Sequence, residues 1–352
     1  MIERKFFGMT DKSEIAYRYI LSNKNGMQIE VSDFGVLVLS ILLKDKNGIR
    51  RDVALGFENI EDYFQTDTGM GAYIGRNANR IKGASVNIEG VNYALEANDG
   101  KNNLHSGYNR SHCQIYSVKC GKNICGEFIE FYRTSRHLEQ GFPGDLEQII
   151  RYTLTDNDEF IIEYDMICDK STVVNPTNHT YFNLDGHDSG TILEHELEVY
   201  SDAFLEIDKE MIPTGTIIGV SGTPMNFCSR KKIGKDFASE YTPLQYAHGY
   251  DHNYIFENDR KLKKVAKLYG ADSGITMNVS SDLCGLQVYT GNFLKGEKGK
   301  DGAYYQKNSG ICLETQFYPN SCNEKDFPSP ILEAGKRFLS KTIYGFEVEQ
   351  RV

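Results

Sequence analysis

Residues 15–31 read Ile15-Ala16-Tyr17-Arg18-Tyr19-Ile20-Leu21-Ser22-Asn23-Lys24-Asn25-Gly26-Met27-Gln28-Ile29-Glu30-Val31, and this stretch decides the fold class. Residues 15–20 and 27–31 alternate with the period of two that sends successive side chains to opposite faces of a strand. Asn25-Gly26 between them has the chemistry of a tight hairpin turn. The same reading extends along the chain, to residues 128–132, 148–154 and 160–166, the last two joined by Asp156-Asn157-Asp158-Glu159. Asn47-Gly48 follows the apolar run 34–43, which reads as a buried strand, and Glu89-Gly90 separates the short strands 86–88 and 91–93. The 22 Tyr and 19 Phe fit pleated, half-buried surfaces. Helical pattern is confined to residues 58–64 and 231–237. The expected fold is therefore all-β: one large antiparallel β-sandwich of two packed sheets with few short helices, its active residues on one concave face.

With 40% hydrophobic and 25% charged residues the chain has ordinary globular composition. No Pro/Ser-rich linker, low-complexity tract or repeat divides it, so residues 1–352 are expected to form a single catalytic domain. The formal charge of -10 repels phosphate backbones and excludes nucleic acid as a natural partner. Run 34–43 is about half the length a bilayer-crossing helix needs, so no membrane association is expected. The opening Met1-Ile2-Glu3-Arg4-Lys5 lacks a secretory pattern and points to a cytoplasmic protein. Eight cysteines without a Cys-x-x-Cys pair read as reduced thiols, and no zinc spacing surrounds Cys120 and Cys125, so no metal is expected.

Gly69-Met70-Gly71-Ala72-Tyr73-Ile74-Gly75 imitates a dinucleotide fingerprint, but its third glycine is one residue late and no βαβ pattern surrounds it. Markers of phosphoryl transfer, serine hydrolysis and zinc peptidases are also missing. Polar segments in apolar settings remain. Asn175-Pro176-Thr177-Asn178-His179-Thr180-Tyr181-Phe182-Asn183-Leu184 presents His179 from the end of a strand, with Pro176 holding Asn175 extended. Cys312-Leu313-Glu314-Thr315-Gln316-Phe317 places Glu314 among apolar neighbours, where an ionised carboxylate is costly unless paired. Gly75-Arg76-Asn77-Ala78-Asn79-Arg80-Ile81 offers donors suited to hydroxyl-rich ligands, and alternation would put Arg76, Ala78 and Arg80 on one face. Asn103-Leu104-His105 and Gly249-Tyr250-Asp251-His252 add a loop imidazole and a carboxylate beside a second histidine. Each piece alone has a bland reading: a salt-bridged strand edge, a loop histidine or an Asx turn.

Taken in order, these segments together with Gly141-Phe142-Pro143-Gly144-Asp145-Leu146 and Gln287-Val288-Tyr289-Thr290-Gly291-Asn292 resemble the aldose 1-epimerase, or galactose mutarotase, family over most of the chain. The resemblance implies a galactose mutarotase-like supersandwich that interconverts the α and β anomers of free aldohexoses without cofactor, as a monomer or homodimer. It further implies Glu314 as base, His179 as acid, and Asn79, Arg80, His105, Asp251 and Gln287 as sugar-binding or supporting groups. Departures are His105-Ser106-Gly107 for the usual His-Gly-Gly, a 108–116 stretch without the common Phe-Asp-Lys and Trp, and Pro319-Asn320 for Pro-Asp.

The chemistry fits those residue types. Ring opening needs the anomeric hydroxyl to lose a proton while the ring oxygen gains one. A Glu is ionised at pH 7, whereas a His needs a neighbouring carboxylate, Glu314 or Asp251, to favour imidazolium against burial. Tyr181, Phe293 and Phe317 are candidates for an apolar platform in a chain without Trp. Rival readings are a non-catalytic sugar-binding or sensor protein on the same fold, a retaining glycosidase using Glu314 with Asp251, and a phosphosugar epimerase with extra cations.

Overall fold

A computed structural model describes residues 2–108 and 110–349. The hairpin of the deciding stretch forms as read: strands Ile15–Ser22 and Gln28–Ser32 pair antiparallel, with Leu21 opposite Ile29 and Tyr19 opposite Val31. They belong to a five-stranded N-terminal meander, Glu3–Met9, Ile15–Ser22, Gln28–Ser32, Val38–Lys44 and Arg50–Asp52. A nine-stranded antiparallel sheet runs from Ser117–Lys122 through Gly126–Ser135, Leu146–Thr155, Glu159–Cys168, Arg337–Val348, Ile275–Ser281, Lys263–Tyr269 and Glu196–Val199 to Lys231–Lys232. A second five-stranded sheet has the order Pro213–Gly219, Ala203–Ile207, Asp251–Ile255, Gly285–Tyr289 and Cys312–Gln316.

One core joins them. Leu21, Ile29 and Val31 of the meander, Phe131, Ile150 and Ile162 of the large sheet, and Tyr254, Leu286, Val288 and Leu313 of the second sheet share one buried cluster. Strand alternation supplies that cluster from one face of each sheet, which frees the opposite face of the second sheet for polar residues. The sandwich expectation holds.

Two local expectations differ. Run 34–43 is buried, with Phe34 2% and Val36 0% exposed, but only Val38–Lys44 is strand. Gly35 and Val36 take positive φ of 64° and 51° and turn the chain. A Cβ on Gly35 would meet the His112 carbonyl oxygen at 2.3 Å, so close packing of that loop imposes the turn and the glycine. Of the helical stretches, the first contains the α-helix Ile60–Phe64. The second holds the strand Lys231–Lys232 and a 3-10 turn Ile233–Asp236, while a short helix Thr242–Tyr246, opened by Pro243, follows it.

Candidate active site

Three adjacent strands of the second sheet build the floor. Asp251 lies opposite Tyr289 and Tyr289 opposite Cys312; Asn253 lies opposite Gln287 and Gln287 opposite Glu314. Because partners directly across a pleated sheet share a face, Asp251, Asn253, Gln287, Tyr289, Cys312 and Glu314 all project to one side. His252, Val288 and Leu313 project to the core. His252 is 0% exposed, so the second histidine of the Asp251 segment is a core residue rather than a cavity group.

His179 arrives from a separate pair, Thr177–His179 on Ala72–Ile74, with His179 opposite Ala72. Arg80 and His105 come from a third, where Arg80 pairs with Leu104. Asn79 enters that pair with a φ of 62°, and its side-chain oxygen accepts from the Arg80 amide at 2.8 Å. This left-handed residue breaks the expected alternation. Arg76 does not share a face with Arg80: it is 1% exposed and donates to the carbonyls of Ser135, Arg136, Pro143 and Gly144 and to the hydroxyls of Ser135 and Thr172. It ties loops together, while Arg80 faces the cavity.

The three pieces surround an open cavity of about 690 Å³ whose lining includes Asn79, Arg80, His105, His179, Asp251 and Glu314. Gln287 stands behind the surface, donating from Nε2 to Asp251 at 2.6 Å, so it supports rather than lines the cavity. Tyr181 and Phe293 line the wall with Tyr289, which stacks on Phe293 at 6.3 Å. Phe317 instead packs with Leu205, Leu283 and Phe327 away from the cavity, which removes it as a platform.

His179 Nε2 lies 3.7 Å from Glu314 Oε1, and its Nδ1 is 3.5 Å from the Cys312 sulfur. Both ionisable groups are buried, at 6% and 2% exposure. Burial therefore acts on both. It lowers His179 to a pKa of about 4, and burial followed by the neighbouring Asp251 charge raises Glu314 well above the ordinary carboxyl range. Burial thus opposes the imidazolium that the sequence reading expects, while the 3.7 Å approach of Glu314 favours it.

Asp251 is raised too, first by burial, against the opposing pull of Arg80. His105 is held neutral by burial and the positive neighbours around it. Its Nδ1 accepts the Asn79 amide at 3.2 Å, which puts its single ring proton on Nε2 and makes that nitrogen a donor. Arg80 is paired with Asp99 at 2.7 Å and Arg110 with Asp67 at 2.8 Å. Tyr289, Asp99, Arg110 and His112 line the cavity without having been singled out from the sequence. Asp99 sits in an ordinary turn signal, Asn98-Asp99-Gly100, and only the fold brings it to Arg80. Donor atoms of His179, Cys312 and Glu314 lie within 4.8 Å of one another, so this cluster is also where a metal ion could be held.

Comparison with known proteins adds an independent line. A sequence profile of the aldose 1-epimerase family matches residues 17–345. The chain is 36% identical over 323 residues to the galactose mutarotase of Bos taurus, covering 92% of each. It is 35% identical to the aldose 1-epimerase of Haemophilus influenzae, covering 99% of this chain and 100% of that one. A crystal structure of an aldose epimerase homologue from C. elegans superposes with a TM-score of 0.86 at 27% identity, covering 99% of this chain and 100% of that one.

Proposed function

This chain belongs to the aldose 1-epimerase family, isomerases that interconvert the α and β anomers of aldoses, and from that premise we propose that Glu314 is the proton-accepting and His179 the proton-donating group of the reaction. The single observation that carries the assignment is their 3.7 Å approach, from different strand pairs, at the wall of one cavity. One proton serves the pair. With that proton on the imidazole, Glu314 is a base facing one sugar oxygen and His179 an acid facing another. Sugar hydroxyls donating to the carboxylate favour that ionised arrangement, since hydrogen bonds to the charged form stabilise it.

The anomeric hydroxyl then gives its proton to Glu314 while His179 protonates the ring oxygen. The ring opens, the aldehyde turns about C1–C2, and the reverse transfers close it on either face. Each positioned group contributes about 10² to 10⁴ in rate, together roughly 5 to 11 kcal/mol of barrier. His105 Nε2 and Arg80 are placed to orient hydroxyls, with Asn79 fixing both through its backbone amide and side chain, and Asp251 braced by Gln287.

The substrate is proposed to be an uncharged aldohexose such as galactose or glucose. Supporting this, Arg80 and Arg110 are each matched by a carboxylate, and the lining adds Asp251, Glu297 and Glu314 against Lys295, which leaves no cation surplus for a phosphosugar. We further propose one catalytic unit spanning the sheets, working as a monomer or homodimer. All eight cysteines are unpaired, which fits a reducing, cytoplasmic setting. No helix among the described residues is long and apolar enough to cross a membrane. Polarimetry on freshly dissolved α-galactose and α-glucose tests the function: the protein should speed the approach to anomeric equilibrium, and a time course equal to buffer alone would refute it.

A further inference from the structure

The strand that carries the proposed base also carries a reactive group the reaction does not use. Cys312 lies two residues before Glu314, opposite Tyr289, and so projects from the same face of the sheet. It is 0% exposed, and its sulfur meets His179 Nδ1 at 3.5 Å, while His179 Nε2 lies 3.7 Å from Glu314 Oε1. A thiol, an imidazole and a carboxylate therefore converge from two strands, with ligand atoms all within 4.8 Å of one another. Glu314 Oε2 adds a buried oxygen with no hydrogen-bond partner among the described residues.

These spacings match one class of ligand. Tetrahedral zinc binds sulfur at about 2.3 Å and imidazole nitrogen at about 2.1 Å, which sets the two donor atoms about 3.6 Å apart. Cys312 Sγ and His179 Nδ1 already stand close to that separation. A cation there replaces the hydrogen of their contact and asks neither heavy atom to move. A carboxylate oxygen on the same ion would sit about 3.4 Å from the nitrogen, a spacing the flexible Glu314 side chain reaches by rotating. Charge points the same way: one thiolate and one carboxylate neutralise a divalent ion, so the buried cluster keeps no net charge. Sulfur and nitrogen donors select against Mg²⁺ and Ca²⁺, which take oxygen ligands. His179 and Glu314 line the sugar cavity, which opens the remaining coordination position to water.

We propose that His179, Cys312 and Glu314 form an inhibitory site for a zinc-like divalent cation, loaded from the sugar cavity. Binding releases the thiol proton, and the carboxyl proton where one is held, to solvent, and nothing is oxidised or reduced. The inhibition rests on the assignment of Glu314 and His179 as the proton-transfer pair. A metal holding the carboxylate takes the oxygen that would accept the anomeric proton and pins the imidazole away from the ring oxygen. Ion and sugar thus exclude each other, and Cys312 makes the enzyme sensitive to zinc.

The test uses Zn²⁺ for inhibition, Co²⁺ as a spectroscopic probe and Mg²⁺ as a control. Because Cys120, Cys125 and Cys228 are exposed, all titrations are made in a background carrying Cys120→Ser, Cys125→Ser and Cys228→Ser. Co²⁺ should raise a thiolate-to-metal charge-transfer band in the near ultraviolet, Zn²⁺ should remove it by displacement, and Mg²⁺ should do neither. Zn²⁺ should slow the mutarotation of α-galactose, with the rate regained at saturating galactose or on adding a chelator. Adding Cys312→Ser should abolish the band and raise the zinc needed for half-inhibition at least about tenfold. No cobalt band, a band that survives Cys312→Ser, or equal zinc sensitivity in that variant overturns the proposal. So does inhibition that galactose fails to relieve. Should Cys312→Ser not fold, Glu314→Gln decides by cobalt titration: the band should persist with affinity at least about tenfold weaker, and unchanged affinity overturns the site. A wild type with no mutarotase activity refutes the functional reading instead, and the cobalt titration still judges the site.

Discussion

Replacing Glu314 with Gln separates catalysis from stability more sharply than any other single change. The amide keeps the shape of the side chain and its approach to His179 Nε2, 3.7 Å from Oε1 in the native site, but it cannot accept the anomeric proton. Loss of one general base removes about 10² to 10⁴ in rate, or roughly 2.7 to 5.4 kcal/mol at 1.36 kcal/mol per decade. Stability should move the other way or not at all. The native carboxyl is buried beside Asp251, and both effects penalise its charged form; a neutral amide escapes that penalty. The expected outcome is a kcat at least a hundredfold lower, KM within a few-fold, and a Tm equal to or above wild type. Glu314→Asp should also fail, because withdrawing the carboxylate by one methylene widens the gap to His179 by about 1 Å, a displacement that costs on the order of 10² in rate. Polarimetry of α-galactose with thermal melts on the same preparations checks all three. Near-normal turnover in Glu314→Gln would refute the assignment of the base, and a melt several degrees lower would refute the claim that burial disfavours its charge.

His179→Ala should likewise lose at least about a hundredfold in kcat in the polarimeter while folding normally by circular dichroism. The two arginines should part company. Arg76→Met leaves its bonded carbonyls and hydroxyls unsatisfied and should lower unfolding free energy by about 3 to 5 kcal/mol in urea titrations, whereas Arg80→Met, beside Asp99 at the cavity, should chiefly raise KM and lower kcat. Acid stability should depend on His252, which burial lowers from 6.5 to about 3. Its folded pKa is depressed, so its contribution is fully present above about pH 6.5 and is lost as pH falls toward the folded value, at about 1.4 kcal/mol per pH unit. In His252→Asn, unfolding free energies from urea titrations should fall less steeply than in wild type between about pH 6.5 and pH 5, by about that amount per unit.

The strands were legible because a strand's pattern is local. Residues 15–31, 148–154 and 160–166 carry their alternation and turns within a few positions, and each appears with its ends moved by a residue or two. Failures came where neighbours override local pattern. Val36 and Asn79 adopt left-handed φ within apolar or alternating runs, and either one flips the face of everything after it. That is why Arg76 and Arg80, four positions apart and alike in type, end in a loop tie and in the cavity. Register is the second limit. Alternation within residues 312–316 shows that Cys312, Glu314 and Gln316 share a face, but that Gln287 stands across from Glu314 depends on pairing between strands. The pairing of Gln287 with Glu314 was therefore hidden although each residue sits in a strand that the sequence reveals.

The charge state of the pair was hidden for a related reason. Proximity of Glu314 to His179 implies attraction, while the depth of both groups, with the rings of Tyr181, Tyr289 and His105 packed around His179, pushes each toward its neutral form. This balance has a catalytic consequence. A pair locked as carboxylate and imidazolium would hold its proton by mutual attraction, and a sugar would have to break that pair before either proton transfer. Burial that biases the pair toward its neutral forms makes its charges depend more on the hydroxyls that arrive to stabilise them, so part of the binding energy is expressed at the reacting oxygens rather than in tighter ground-state binding.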